Sequence, residues 1–423
     1  MGGTRLDPAL FKIPLDKLRA GYYSDKYFQR VSEVLRKEKH NPNVLYQFFP
    51  RDDAVVVGLD EAIAILKHCT GYYEDMEATE AIYRRLREVQ FAFSQASLYG
   101  AEEEIRCCSE ERTRLRMQLN QRWVNCWDRI RVRSLYDGDR VRAGEPILVV
   151  EGPQAYFAYL ETVLLGVIAR PTGTATATAK VVEAARGKPI LFFSARFDHY
   201  WVQGTDGYAA IKAGAEGVST DANADYWGTE GLGTIPHSLI GAYRGSTVEA
   251  ALAFDRHIDG AINRIVLVDW DNDCIGTSLK VVEAFARKYH GAERPAEWSR
   301  AVGPGPRKVW GVRFDTSGSL RDISVIPHDD SSLGVSSELV HRARVAFDAR
   351  GLHQLKIVAS GGFDARRIAL FEKLAVPVDA YGVGSHLLRH KVDITADVVQ
   401  VDGAHCAKVG RRLGDLSRLD PVE

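Results

Sequence analysis

Short apolar runs alternate with segments of helical period through the second half of the chain. Residues 189–193, 216–219, 264–269, 309–314, 355–359 and 377–381 are rich in Val, Ile, Leu and Phe, and amphipathic stretches near 206–215, 246–258, 277–289, 335–350 and 364–374 separate several of them. Runs of this length without polar alternation read as strands covered on both faces. Strand and helix in repetition predict a parallel sheet with crossovers of one hand and functional groups at the strands' C-terminal ends. No G-x-G-x-x-G follows the first run, so a closed or nearly closed α/β barrel is favoured over a doubly wound sheet.

The first part of the chain follows another pattern. From about Asp75 to Arg133 the period is helical, with Tyr83, Leu86, Val89 and Phe93 on one face. Turns at Tyr136-Asp137-Gly138-Asp139 and Ala143-Gly144-Glu145-Pro146 around Val141 and Ile147-Leu148-Val149-Val150 predict a hairpin. Glu161 to Ala169 reads as a buried helix stopped by Pro171, with a second helix over Gly173 to Ala185. Gly291 to Pro306 is polar and rich in Gly and Pro, the pattern of a surface loop. Three segments result: an N-terminal α+β domain over 1–152, a barrel over 153–390, and a C-terminal segment over 391–423 that packs on the N-terminal domain.

Composition narrows the class of partner. Lys and Arg number 55 against 56 Asp and Glu, so no global field draws the chain to nucleic acid or an anionic membrane. The arginines between Arg112 and Arg133 are interleaved with acids, as on a solvated helix flank. The cysteines Cys69, Cys107, Cys108, Cys126, Cys274 and Cys406 form no C-x-x-C pair, which suits reduced thiols and gives no zinc motif. No signal-like N-terminus and no apolar run of bilayer length is seen, so a soluble cytoplasmic enzyme is expected.

The candidate chemistry sits where the runs end. Ser360-Gly361-Gly362 follows one apolar run and leads into a helix at Asp364, which presents free backbone N–H groups and a helix dipole to an anion. Gly382-Val383-Gly384-Ser385 follows the next, and its bare glycines let a second backbone close on the same ligand. Two such turns on neighbouring strands suit one phosphate. The other ends carry Phe193 and Arg196, Asp221, His237, Asp269, and Arg313 with Asp315. Arg196 can fork a substrate carboxylate or pair with Asp198, and Phe193 can stack on a planar ring. His237 suits a proton shuttle or a phosphate acceptor. Asp269 and Asp315 can hold Mg²⁺ or sugar hydroxyls, or cap helices, and Arg313 suits a polyphosphate leaving group.

Taken in order, these motifs resemble the nicotinate phosphoribosyltransferases of the type II phosphoribosyltransferase family, which also holds the quinolinate and nicotinamide enzymes. The resemblance runs from Ser24-Asp25-Lys26-Tyr27-Phe28 through DGDRVRAGEPILVVEGP, ETVLLGVIAR, the Phe193 to Arg196 segment, GTIPHSLI, LVDWDND, GVRFD, SGGFD and YGVGS. Where many members read D-S-G-D, this chain has Asp315-Thr316-Ser317-Gly318-Ser319, with Asp322 as the next carboxylate. After Arg196 it reads Phe197-Asp198-His199-Tyr200 in place of the more usual R-x-H-P.

The resemblance implies an irregular α/β barrel plus an N-terminal α+β domain. It implies transfer of phosphoribose from 5-phosphoribosyl 1-pyrophosphate to nicotinate, with Mg²⁺ as cofactor, ATP as co-substrate and His237 as the phosphorylated residue. The donor would rest on Asp221, Asp315, Ser360, Gly361, Gly362, Gly382, Gly384 and Ser385. Asp269, Arg313 and His237 would be catalytic, with Asp269 and Asp315 toward the metal. The pyridine would lie between Phe193 and Tyr27 of a partner subunit, its carboxylate on Arg196, which makes the enzyme a homodimer or higher. Quinolinate or nicotinamide transfer, or a silent phosphosugar-binding relative, are the alternatives.

Overall fold

The computed structural model describes residues 4–423, and their contacts divide the chain into two units. One unit holds the residues up to Thr172 together with Val392–Glu423, and the other holds Gly173–Lys391.

The second unit is built on a curled, six-stranded parallel sheet. Its strands are β1 (Ile190–Phe192), β2 (Gly217–Val218), β3 (Ile265–Leu267), β4 (Gly311–Phe314), β5 (Lys356–Ala359) and β6 (Ala380–Val383). They lie in the order β3-β4-β5-β6-β1-β2, every neighbouring pair parallel. The two edge strands are bridged by an irregular segment. Leu232 N–H donates to the Val218 carbonyl at 2.7 Å, and Ile235 N–H donates to the Ile265 carbonyl at 2.9 Å. The sheet thus comes round on itself through single hydrogen bonds where an ordinary barrel has further strands, which makes the barrel irregular. Phe192, Val266, Phe314 and Ile357 are wholly buried between the strands and helices such as Thr247–His257, Cys274–His290 and Ser337–Asp348. This two-sided burial is why the strands read as unbroken apolar runs.

At the N-terminal end of the sheet a charged residue is part of the core. Arg264, just before β3, is fully buried, and its Nε donates to Asp255 Oδ1 at 2.7 Å. Its remaining N–H groups donate to the carbonyls of Asp255, Ile258, Asp259 and Ile262. Asp255 Oδ1 also accepts from Arg307 N–H at 2.9 Å. A guanidinium so enclosed is tolerable because it is fully hydrogen-bonded and faces a carboxylate.

The first unit is an antiparallel six-stranded sheet in the order Ala404–His405, Ile394–Val401, Asn43–Pro50, Leu148–Pro153, Arg131–Ser134, Asp420–Pro421. Its C-terminal residues therefore complete a sheet begun near residue 43. The helices Met76–Tyr99 and Glu102–Arg122 pack on each other through Leu86, Val89, Leu115 and Leu119. Arg112 lies 4.2 Å over the Phe93 ring and Arg85 pairs with Glu111 at 2.8 Å, so this basic stretch is partly spent inside the helix pair. No helix among the described residues is long and apolar enough to cross a membrane.

Several expectations give way. The residues around 141 and 148 do not form a hairpin: Arg140–Val141 pairs with Ala54–Val55, while Leu148–Pro153 joins the main sheet. Their intervening turn was visible, but strand partners far away in sequence won both runs. The helical period ends at Arg122, after which strands follow. Gly291 to Pro306 contains a 3-10 helix, Pro295–Ala301, with Trp298 and Ala301 buried, so it is packed structure. The last strand lies at Ala380–Val383, a little later than its apolar run. Finally, Pro171 does not stop a helix, because Glu161–Ala184 continues through it. Proline leaves the carbonyl four residues earlier without its helical donor, here Val167. Gly58, at φ 100°, approaches that carbonyl so closely that a Cβ would stand 2.1 Å from the oxygen. A side chain at position 58 would therefore collide with the helix.

The Arg264–Asp255 pair gives a test of stability. Asp255→Ala leaves a buried guanidinium without its counter-charge, and the expected loss is about 3 kcal/mol or more of unfolding free energy in urea titration. A loss under about 1 kcal/mol would show that the backbone carbonyls alone satisfy Arg264.

Candidate active site at the mouth of the barrel

The C-terminal ends of the strands bring together most of the residues singled out in the sequence. Arg313, in β4, is the hub. Its Nη1 donates to Thr234 Oγ1 at 2.9 Å, its Nη2 meets Asp315 Oδ2 at 3.5 Å, and its guanidinium carbon lies 5.5 Å from the centre of the Phe193 ring. Its Nε is buried with no partner. Burial lowers its pKa from the usual arginine value, the carboxylates of Asp315 and Asp269 oppose that, and the charge of Arg196 adds to it. Two cations therefore act on one region beside one aromatic face.

Across from this group stands a histidine–carboxylate pair. His237 begins the short helix His237–Ala242 and its Nε2 lies 2.9 Å from Asp269 Oδ1. Asp269 is nearly buried and His237 half exposed, with Trp270 6.1 Å away in ring centres. Burial raises the Asp269 pKa, His237 opposes the rise, and the charge of Asp315 adds to it. That last effect means that the two carboxylates share one electrostatic neighbourhood. Among the described residues no group of three or more His, Cys, Asp or Glu gathers as a ready-made cation cage. Two carboxylates of this kind suit an ion such as Mg²⁺ that takes most of its ligands from water and substrate phosphates.

The two glycine turns prove to be different devices. Gly361 and Gly362 have φ of 87° and 76°, the left-handed region that glycine occupies without cost. Ser360 Oγ donates to Asp315 Oδ1 at 2.8 Å and to the Phe314 carbonyl at 3.1 Å, fixing the start of the turn. Asp364 then caps the helix Ala365–Lys373, its Oδ1 accepting from Arg367 N–H at 2.8 Å. Gly382, in contrast, lies inside β6 and not in a turn. A Cβ there would stand 2.7 Å from the Phe193 ring, and one on Gly384 would stand 2.7 Å from the Phe197 ring. These two glycines make room for aromatic rings. Ser385 opens the 3-10 turn Ser385–Leu388.

The side-chain contacts of other expected residues are made to groups outside the hub. Asp221 is exposed and its Oδ1 accepts from Gly231 N–H at 2.9 Å, which closes the loop between them. Arg196 sits on the 3-10 turn Ala195–Phe197, 5.2 Å over the Phe197 ring. Asp322 does not replace the missing carboxylate of the D-S-G-D pattern. It is buried, and its oxygens accept from Cys274 N–H at 2.8 Å and Ser324 N–H at 2.9 Å, anchoring the helix Cys274–His290. Tyr27 belongs to the first unit, where it is exposed and its hydroxyl donates to Asp25 Oδ2 at 3.3 Å. Thr162 Oγ1 donates to the same oxygen at 2.8 Å and accepts from Asp25 N–H at 3.0 Å.

Two residues had no role assigned from the sequence. Thr234, part of the GTIPHSLI motif, holds Arg313 from the segment that bridges the sheet edges. Arg367 donates from Nη1 to the Gly361 carbonyl at 3.0 Å and from Nη2 to the Val335 carbonyl at 2.9 Å, bracing the glycine turn from behind. Its position three residues past the cap Asp364 was the available signal.

Residues 78–172 match the family model of the quinolinate phosphoribosyl transferase N-terminal domain. The nicotinate phosphoribosyltransferase pncB2 of Mycobacterium tuberculosis is 29% identical over 277 residues, covering 63% of this chain and 51% of that protein. The nicotinate phosphoribosyltransferase of Bacillus subtilis is 24% identical over 259 residues, 60% of this chain and 45% of the relative. The chain thus matches about half the length of these curated relatives. Among solved structures, a nicotinate-nucleotide pyrophosphorylase from Pyrococcus furiosus aligns with a TM-score of 0.68 and 26% identity over 96% of this chain and 82% of that one. Human nicotinic acid phosphoribosyltransferase aligns at 0.59 and 18% over 92% and 77%, a likeness of fold. The chain is similar in sequence to nicotinate phosphoribosyltransferases over part of its length, and its fold matches the type II phosphoribosyltransferase fold.

The aromatic packing on β6 is directly testable. Gly382→Ala should push the Phe193 ring aside, costing about 1–3 kcal/mol of stability by overpacking. Its melting curve decides: a wild-type midpoint would mean that the ring moves freely and is not set by the glycine.

Proposed function

We propose that this protein is a nicotinate phosphoribosyltransferase that forms nicotinate mononucleotide and pyrophosphate from nicotinate and 5-phosphoribosyl 1-pyrophosphate, as a salvage step toward NAD. What carries the reading is a buried cation, Arg313, beside the Phe193 ring, with the charge of Arg196 acting on it. A planar anionic ring and a polyphosphate both need that combination, and the neighbouring Asp269 and Asp315 suit the cation that accompanies the polyphosphate.

In this reading Arg196 takes the ring carboxylate and Phe193 one face of the pyridine. The turn at Ser360, Gly361 and Gly362 receives the donor's 5′-phosphate, with Gly384 and Ser385 beside it. Asp269 and Asp315 would hold Mg²⁺, which supplies charge neutralisation to the departing pyrophosphate. The bond from ribose C1 to the pyrophosphate oxygen breaks with its electron pair leaving on that oxygen, and Arg313 stabilises the charge that develops there. The pyridine nitrogen, held in place by Arg196 and Phe193, donates its lone pair to C1 from the opposite face. No protein nucleophile is needed, so orientation is the protein's main contribution.

We further assign His237 as the residue phosphorylated by ATP. Its Nε2 is engaged by Asp269, which leaves Nδ1 for the phosphoryl group and keeps the ring oriented. Tyr27 would reach the acceptor ring of a partner subunit in a homodimer, steadied by Asp25 and Thr162. We take the enzyme to be cytoplasmic. A second reading, quinolinate phosphoribosyl transfer, is favoured by the family model matched over 78–172.

Purified protein with the phosphoribosyl donor and Mg²⁺ should convert nicotinate, and neither nicotinamide nor quinolinate, faster with ATP than without. Carbon dioxide released from quinolinate would establish the second reading instead. For His237→Asn, the expected result is loss of ATP stimulation with residual ATP-independent transfer; wild-type rates at every ATP concentration would remove the histidine from the scheme.

A further inference from the structure

The two glycines after β5 give the chain freedom to turn, and with it freedom in which way their shared peptide faces. Gly361 and Gly362, at φ of 87° and 76°, carry no Cβ that would oppose rotation of the plane between them. One orientation of that plane offers a ligand an N–H, the other a carbonyl. Only the first suits an anion.

Arg367 decides between them. Its Nη1 donates to the Gly361 carbonyl at 3.0 Å and its Nη2 to the Val335 carbonyl at 2.9 Å. Because the peptide is planar and trans, a Gly361 carbonyl drawn to the guanidinium points the Gly362 N–H away from it. The N–H groups of Gly361, Gly362 and Phe363 have no hydrogen-bond partner among the described residues, and Gly362 is exposed. Successive unpaired N–H groups that solvent can reach are an anion-binding pattern.

The guanidinium is itself held in place. Its carbon lies 4.5 Å from the centre of the Phe363 ring and 5.9 Å from that of Phe371, both rings buried. It sits between two glycines: a Cβ on Gly362 would stand 3.7 Å from Nη1, and one on Gly334 3.6 Å from Nη2. Asp364 fixes the backbone by accepting from the Arg367 N–H at 2.8 Å. So constrained, the fork cannot easily leave the carbonyl it holds.

Charge points the same way. The guanidinium bonds two carbonyls and no carboxylate among the described residues, so its charge is not spent in an ion pair. On the other side of the turn, Ser360 holds Asp315 Oδ1, which would stand 3.2 Å from a Cβ on Gly361. That carboxylate opposes an anion at the turn, and the guanidinium offsets it.

We propose that Arg367 is a positioning residue for phosphate: by holding the Gly361 carbonyl it keeps the Gly362 N–H turned outward, and its unpaired charge favours an anion at the turn. The proposal rests on the reading of this turn as the seat of the donor's 5′-phosphate and adds what sets the polarity of that seat.

Isothermal titration of the whole protein with ribose 5-phosphate, which carries the donor's phosphate without its pyrophosphate, reads the turn apart from turnover. Arg367→Met keeps an apolar stem and loses both hydrogen bonds and the charge, and should weaken binding about tenfold or more. Arg367→Gln keeps one N–H donor for the carbonyl without the charge, and should bind at least about threefold more tightly than Arg367→Met. In turnover, the KM for the phosphoribosyl donor should rise about tenfold in Arg367→Met while that for nicotinate stays within roughly twofold, a split that general loss of structure does not give. Arg367→Lys, which keeps charge without the fork, should fall between wild type and Arg367→Met, and it decides if the latter does not fold. Wild-type affinity in the folded Met or Lys variant overturns the proposal, as does a Gln variant that recovers nothing. Wild-type protein that binds no ribose 5-phosphate removes the phosphate seat and the proposal together, whereas a failure to turn over nicotinate leaves the titration to decide.

Discussion

A single desolvated guanidinium organises the mouth of the barrel. Arg313 reaches Thr234 on the segment that joins the sheet's edges, Asp315 beyond its own strand, and the Phe193 ring beyond β1. Each contact comes from a different part of the chain, so the charge is fixed only when the sheet has curled into a near-ring. Its cost is met by Asp315 and Asp269, while Arg196 works against it. The same balance makes the region receptive: a cation partly uncompensated, with an unpartnered Nε, gains from any anion that enters.

The second constraint is steric. Gly361 and Gly362 are needed for their backbone conformation, Gly382 and Gly384 for lack of a side chain. In the first pair the freedom of φ turns the chain after β5, with Arg367 and Ser360 holding the turn from two sides. In the second pair the missing Cβ lets Phe193 and Phe197 lie against β6. Identical residues thus do different work within one region, one pair shaping a backbone turn and the other setting an aromatic wall.

How much of this was legible follows from range of interaction. The six strands could be read because their burial on both faces leaves unbroken apolar runs, and most strand-end residues followed from them. Misreadings occurred where a distant partner decided the outcome. Val141 pairs with Ala54 and Leu148 with Phe48, so a local turn signal misled. Pro171 stays within a helix whose Val167 carbonyl lies against Gly58, more than a hundred residues earlier in sequence. Thr234 and Arg367 act through geometry that a single sequence does not encode locally: one crosses a gap between sheet edges, the other reaches backward from a helix to a backbone carbonyl.

The histidine–carboxylate pair connects the proposed ATP step to the proposed transfer. Asp269 is pushed toward its protonated form by burial and by Asp315, and His237 and a backbone hydrogen bond favour its charge. A phosphoryl group on His237 would add negative charge beside both carboxylates. That repulsion is relieved by binding a cation together with the donor's pyrophosphate, whose charge Arg313 shares. Phosphorylation and cation binding would then favour each other through Asp269, without movement of any strand. The coupling requires that Asp269 serve the histidine and the cation at once, one oxygen to each, and its Oδ1 is already on His237. Asp322 cannot take over the second duty, because its oxygens are bound to Cys274 and Ser324 within the core. In the proposed scheme, Asp315-Thr316-Ser317-Gly318-Ser319 in place of D-S-G-D would put the demand for carboxylate on Asp269 and Asp315.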